Sequence, residues 1–155
     1  MRLLDIHVCN QTVEETQLIA FYELERLHET LSTSKEFANS ELADFITMIT
    51  LLCEQLGNDI YEFMTVGLEE GSCSLDEVQI AYGRLVRSLI YQKRFGTPRG
   101  PSTEDCLRKL LDKTRLFSRR QKVDFWEVQE LGVERFKERM QDLRTEGLKG
   151  QLKET

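Results

Sequence analysis

The chain has 155 residues, 40% of them hydrophobic, and a formal net charge of −6, so it can bury one core without disulfide support. No apolar run reaches the roughly 18 residues of a membrane span, and the start of the chain lacks the charged and apolar regions of a signal peptide. The four cysteines are scattered without a CxxC pair, which predicts reduced thiols in a cytoplasmic protein with no membrane partner. We expect a single helical domain over residues 1–147 and a polar C-terminal tail over residues 148–155.

Charge is unevenly distributed along the chain. Residues 1–83 contain three basic and sixteen acidic residues, whereas residues 84–122 contain twelve basic and three acidic residues. This asymmetry predicts either complementarity between the two parts, within one molecule or between subunits, or a polyanion site on the basic part.

The first helix is predicted from local signals at its start. The first ten residues alternate apolar and polar positions, which could form a short strand or an extended arm. Thr12 and Glu15 then have the spacing of a capping box, so a helix should begin at about Val13. It should run to about Leu31, with apolar residues at helical spacing facing the core.

The stretch from Thr33 to Gly57 is the most strongly periodic of the chain. Its apolar residues recur at spacings of three and four, which predicts a long helix with one buried face: Leu42, Phe45, Ile46, Ile49, Leu52, Cys53 and Leu56. A second capping box places the helix start at Thr33 or Ser34, with Ser40 as the alternative N-cap. Gly57 should close the helix in the left-handed conformation.

Further helices follow toward the C-terminus. Capping residues and apolar periods predict a short helix from Asp59 to near Gly67 and a long helix from Ser74 to about Arg94. The glycine- and proline-rich loop 96–101 should separate this helix from another long one that begins after Ser102. A last helix should begin after Asp124. The sequence therefore predicts an all-α, single-domain bundle of five or six helices. A short N-terminal strand or extended arm could precede the bundle.

Three carboxylates could form a metal site on the first two long helices. Glu41 and Asp44 are three residues apart, so both project to one side of their helix. A very short connection around Ser32 would make the two helices an antiparallel hairpin and place Glu23 at the height of Glu41. Mg²⁺ prefers hard oxygen ligands, so these three side chains could hold it. The alternative is that they are solvated surface carboxylates.

The same segment resembles a known family. The sequence ELAD at residues 41–44, followed by an apolar helix and GNDI at residues 57–60, is similar to the second half of the MazG-type all-α nucleotide pyrophosphohydrolases. Their signature is ExxE on one helix and ExxD on the next. The ExxD is present here, whereas aligning Glu23 with the second glutamate of the ExxE places Ala20 where the first stands. The resemblance covers about residues 18–63.

The resemblance implies an activity and an assembly. It implies Mg²⁺-dependent hydrolysis of a nucleoside triphosphate to the monophosphate and pyrophosphate, in a site completed by helices of a homo-oligomer. Because one of the four family carboxylates is replaced by Ala20, it also allows a descendant that binds without hydrolysing.

The basic segment offers ligands for a phosphate-bearing molecule such as a nucleotide. Arginine forks match phosphate oxygens bidentately. The predicted phosphate-binding residues are Lys93, Arg94, Arg99, Arg119, Arg120 and Lys122. A solvated basic face paired with the acidic half is an equal alternative.

Other functional classes find little support in the sequence. No helix-turn-helix, zinc-finger or interleaved aromatic pattern favours nucleic acid as a partner. No Walker loop, GxSxG or GxGxxG is present. The rival to a hydrolase is therefore a non-enzymatic helical protein-interaction module, an inhibitor or adaptor, that binds a protein partner through its acidic face or through residues 84–122.

Overall fold

The protein is a bundle of α-helices. The computed structural model describes Leu3 and residues 11–33, 39–65 and 68–154, with the side chains of residues 144–154 left aside. Within these ranges there are six helices and no strand: α1 (Val13–Thr33), α2 (Asn39–Gln55), α3 (Ile60–Phe63), α4 (Leu75–Phe95), α5 (Thr103–Arg120) and α6 (Phe125–Glu154). The predicted all-α class is confirmed. The predicted N-terminal arm lies outside the described residues except for Leu3, which is buried.

Local hydrogen bonds explain where most helices begin. The backbone N–H of Glu15 donates to the Thr12 hydroxyl at 3.1 Å, and the N–H of Thr12 donates to the Glu15 carboxylate at 3.2 Å, as a capping box requires. Single side-chain caps start the two later helices in the same way, with Ser102 accepting from Asp105 N at 3.1 Å before α5 and Asp124 accepting from Glu127 N at 3.0 Å before α6.

The start of α2 differs from the prediction. Thr33 is the last residue of α1, and its hydroxyl donates to the carbonyl of Glu29 at 2.7 Å, so it extends the first helix instead of capping the second. The second helix begins at Asn39, so Ser40, the alternative N-cap, lies within it. The connection predicted around Ser32 is misplaced, because Ser32 lies within α1, and residues 34–38 between the two helices lie outside the described residues.

Two helix ends also differ from the prediction. The short helix α3 ends at Phe63, before the predicted end near Gly67. The last helix continues past Gly147 to Glu154, so residues 148–154 of the predicted tail are helical. One glycine costs a helix only about 1 kcal/mol, and no proline follows to stop it.

Helix α2 forms the centre of the bundle. Every residue from Leu42 to Glu54 is buried, not only the single face that the apolar period predicted. Helix α1 packs along one side of α2, and α6 packs along another, while α4 and α5 form a second helix pair. Ile49, at the middle of the predicted face, is fully buried.

Helices α2 and α6 are in close contact at Gly132. A methyl group added there would lie 2.2 Å from Thr47 Oγ1 and 2.4 Å from the backbone oxygen of Ala43. Because a backbone oxygen cannot rotate away, only glycine allows this crossing. The contact sets the distance between α2 and the residues that follow Gly132 on α6.

No helix among the described residues combines the length and the apolar character that crossing a membrane requires.

We predict that Gly132→Ala lowers the free energy of unfolding by roughly 1–3 kcal/mol, because the added methyl overpacks the α2–α6 crossing. The matched control is Gly83→Ala on α4, where the added methyl meets no atom within 4 Å. That control should raise stability by about 0.4–1 kcal/mol through the unfolded state. Urea denaturation of both variants measures the difference, and equal stability of the two would contradict a close crossing at Gly132.

Candidate functional site

Helices α1, α2 and α6 enclose a cleft of about 120 Å³. Its polar lining residues are Gln11, Glu23, Asp44, Thr47 and Arg139, and its apolar lining residues are Ile19, Met48, Phe136 and Met140, with Gly132 at the α2–α6 crossing. The cleft therefore combines two carboxylates, one guanidinium group and an apolar wall.

Two of the three carboxylates predicted as metal ligands come together at this cleft. Glu23 on α1 and Asp44 on α2 both line it, and both are buried. Glu41 lies one helical turn away, where Arg26 Nη2 is 3.7 Å from its carboxylate. The sequence placed Glu23 level with Glu41, whereas in the structure Glu23 lines the cleft together with Asp44.

Three arginines accompany these carboxylates. Arg26 also lies 3.6 Å from Glu23, and Arg135 and Arg139 of α6 each lie 3.6 Å from a different oxygen of Asp44. These separations exceed ordinary hydrogen-bond lengths, so the contacts are loose ion pairs. All three arginine side chains are more than a third exposed, so water screens the pairs and leaves the guanidinium groups able to reorient.

Arg135 and Arg139 were not predicted from the sequence. They are four residues apart, so they lie on one face of α6, the face that Gly132 and Phe136 pack against the bundle. A glycine inside an amphipathic helix, with arginines three and seven residues later, was the available signal.

Glu23 is the most perturbed group of the cleft. Burial raises the pKa of its carboxyl above the ordinary value of 4.5, and the negative charges of Asp44 and Glu41 raise it further, against the opposing effect of Arg26 and Arg139. Its Oε2 atom is buried and accepts no hydrogen bond. A buried carboxylate oxygen without a donor is costly, and a cation or a donor from a ligand would relieve that cost.

The donor set at this cleft fits Mg²⁺ in part. Glu23 and Asp44 supply hard carboxylate oxygens, one of them without a hydrogen bond, and Mg²⁺ often uses one or two carboxylates with waters and substrate phosphates. Within the described ranges, however, no three His, Cys, Asp or Glu residues are arranged closely enough to hold a metal ion by themselves. Ala20, one turn before Glu23, is buried and adds no ligand. Any metal here would need oxygens from its ligand.

The predicted phosphate-binding residues do not form one site. One group, Lys93, Arg94 and Arg99, lies where α4 leads into α5, and the other group, Arg119, Arg120 and Lys122, lies at the far end of α5. The 18 residues of α5 span about 27 Å between the two groups. None of the six lines the carboxylate cleft.

Two of these cations have structural roles. Lys93 forms a 2.8 Å ion pair with Glu14, which is a contact between the basic and acidic parts of the chain. Lys122 has a φ of 61° and follows the end of α5, where the next backbone N–H, that of Val123, donates to the carbonyl of Ser118 at 3.0 Å. This is the left-handed position that closes a helix.

Comparison of the chain with protein-family models, with curated proteins and with solved structures finds no match. The resemblance to the MazG-type family therefore depends on the residues quoted above.

We predict that Glu23→Gln raises the melting temperature at about pH 7. Since the pKa of Glu23 is raised in the folded protein, the folded state holds this proton more tightly than the unfolded chain, and stability falls as pH rises above about 4.5 toward the folded pKa. Glutamine removes this dependence. The gain should disappear near pH 4, where the carboxyl is increasingly protonated in both states.

The matched control is Glu25→Gln, an exposed position on the same helix, which should change the melting temperature little at either pH. An equal gain for Glu23→Gln at both pH values would show that its effect does not come from ionisation.

Proposed function

We propose that the cleft between α1, α2 and α6 binds a nucleoside triphosphate and hydrolyses it to the monophosphate and pyrophosphate with Mg²⁺, as in the MazG-type family. The observation that carries this proposal is the convergence of Glu23 and Asp44 on a cleft that Arg139 also lines. Such a reaction needs carboxylates that hold a metal ion and guanidinium groups that bind the phosphates.

Glu23 and Asp44 would hold the metal ion, with Glu41 one turn away as the third predicted ligand. A bound Mg²⁺ supplies charge neutralisation at the phosphates and a more acidic water. Arg135 and Arg139 are loosely paired with Asp44. Once the Asp44 carboxylate is neutralised by a metal ion, both arginines could turn to the triphosphate oxygens. The apolar wall of Ile19, Met48, Phe136 and Met140 would exclude water from the nucleoside side of the cleft.

A homo-oligomer is part of this proposal. On the outer face of α1, Leu18, Phe21 and Tyr22 are each more than half exposed, and they are neighbours at helical spacing. A second subunit packed there would lie next to the carboxylate cleft. We also propose a cytoplasmic location, in keeping with the free thiols of Cys53, Cys73 and Cys106.

The second candidate is a non-enzymatic helical interaction module, an inhibitor or adaptor. Two observations favour it: the carboxylates already have arginine partners, and Ala20 stands where the family has its first glutamate. In this alternative the ionic cluster joins α1, α2 and α6, and the exposed residues of α1 contact a protein partner.

We predict Mg²⁺- or Mn²⁺-dependent release of pyrophosphate from at least one nucleoside triphosphate. Since loss of a group that merely supports a metal ligand costs about 10–100-fold, Asp44→Asn and Glu41→Gln should lower the rate at least that far. Glu25→Gln is the matched control and should retain the parent rate. Circular dichroism and thermal melting check that the variants fold.

The same proteins should be titrated with Mg²⁺ and Mn²⁺ by calorimetry. A parent protein that neither binds these ions nor releases pyrophosphate would remove the hydrolase proposal and leave the interaction module. Activity that survives Asp44→Asn would place the reaction at another site.

A further inference from the structure

We propose that the α4–α5 hairpin carries a second ligand site, an anion pocket for a small molecule with a phosphate or diphosphate group. The pocket has a volume of about 280 Å³. It is lined by Arg84, Arg87 and Ser88 of α4, Pro98, Arg99 and Pro101 of the connecting loop, and Cys106 of α5. It shares no lining residue with the carboxylate cleft, so it is independent of the proposed hydrolase site.

Among the described residues, no carboxylate forms an ion pair with the three guanidinium groups of this pocket, those of Arg84, Arg87 and Arg99. The carboxylate cleft and the second half of α5 have several such pairs. Three like charges around one cavity repel each other, and a bound anion would reverse that cost. Arginine presents a rigid fork of donors that fits phosphate oxygens, so phosphate is the anion that this pocket suits best.

Aromatic contacts orient two of the arginines. The guanidinium carbon of Arg87 lies 5.3 Å from the centre of the Tyr91 ring, and that of Arg99 lies 5.9 Å from it. Cation–π contacts of this kind restrict the side chains without using their N–H donors for hydrogen bonds to other residues. The donors therefore remain available to a ligand, and less side-chain entropy is lost on binding.

The backbone of the loop holds Arg99 in an uncommon conformation. Its φ is 49°, a left-handed value that costs a residue with a Cβ atom. Unlike Lys122, it does not close a helix here, because Gly96 with a φ of 74° already ends α4. The left-handed conformation of Arg99 therefore does not cap a helix, and the Arg99 side chain lines the pocket.

The floor of the pocket is rigid. Ser88 is buried, and its hydroxyl lies 2.8 Å from the hydroxyl of Thr103, which joins α4 to the first turn of α5. Pro98 and Pro101 restrict the loop on both sides of Arg99. A site whose walls are fixed before binding can select a compact, multiply charged group such as diphosphate.

The test is calorimetric titration with inorganic phosphate, inorganic pyrophosphate and a nucleoside diphosphate, at low salt and with a chelator to exclude metal-dependent binding in the cleft. We expect saturable binding of pyrophosphate that weakens as salt is added. Tighter binding of the nucleoside diphosphate would identify a nucleotide as the source of the phosphate group, and equal binding would identify the free anion.

The variants separate this pocket from general surface charge. Arg87→Gln and Arg99→Gly should each weaken pyrophosphate binding at least 10-fold. The control Lys109→Gln removes an exposed charge of α5 outside the pocket and should change affinity less than 2-fold. Asp44→Asn should leave this affinity unchanged, whatever it does to nucleotide hydrolysis.

Arg99→Gly also tests whether a loss of affinity comes from a loss of folding. Glycine adopts a positive φ without steric cost, so this variant should melt at or above the parent temperature while it loses affinity. A parent protein that binds none of the three probes, or a Lys109→Gln variant weakened as much as Arg99→Gly, would overturn the proposal.

Discussion

The central helix α2 carries a buried negative charge, and the helices around the carboxylate cleft must supply positive charge to neutralise it. Helix α2 is enclosed on all sides from Leu42 to Glu54, yet it carries Asp44 within that span. An isolated buried carboxylate costs several kcal/mol, so helices that pack on α2 at this level must supply positive charge. Helix α6 does so with Arg135 and Arg139, and α1 places Arg26 beside the neighbouring carboxylates.

The position of those arginines depends on a steric contact. Because Gly132 has no side chain, α6 lies against the backbone of Ala43, next to Asp44, and against the side chain of Thr47 one turn later. A larger residue would force the helices apart and lengthen ion pairs that are already 3.6 Å long. Packing and electrostatics thus act on the same crossing. The resulting cleft holds opposite charges that are close but not hydrogen-bonded to each other, which is a suitable starting state for a ligand that carries both metal and phosphate.

The basic part of the chain is divided between different tasks. Lys93 and Lys113 form ion pairs with acidic residues of the first half, as expected for complementarity within one molecule. Arg84, Arg87 and Arg99 have no such partners among the described residues, and they surround a cavity of their own. The number of basic residues in 84–122 could not predict which of them form ion pairs, because that depends on which acidic side chains lie within reach in the folded protein.

The sequence by itself determined the helical class and most helix starts, since a cap such as Thr12 with Glu15 or Asp124 with Glu127 acts over three residues. It also singled out Glu23 and Asp44, which line one cleft because α1 packs along α2. Only the tertiary structure decided that Glu23 lines this cleft with Asp44 rather than with Glu41. It alone placed Arg135 and Arg139 on Asp44 and divided the basic residues between the ends of α5. These outcomes depend on contacts between residues far apart in the chain, and local periodicity contains no information about which distant helix crosses at which residue.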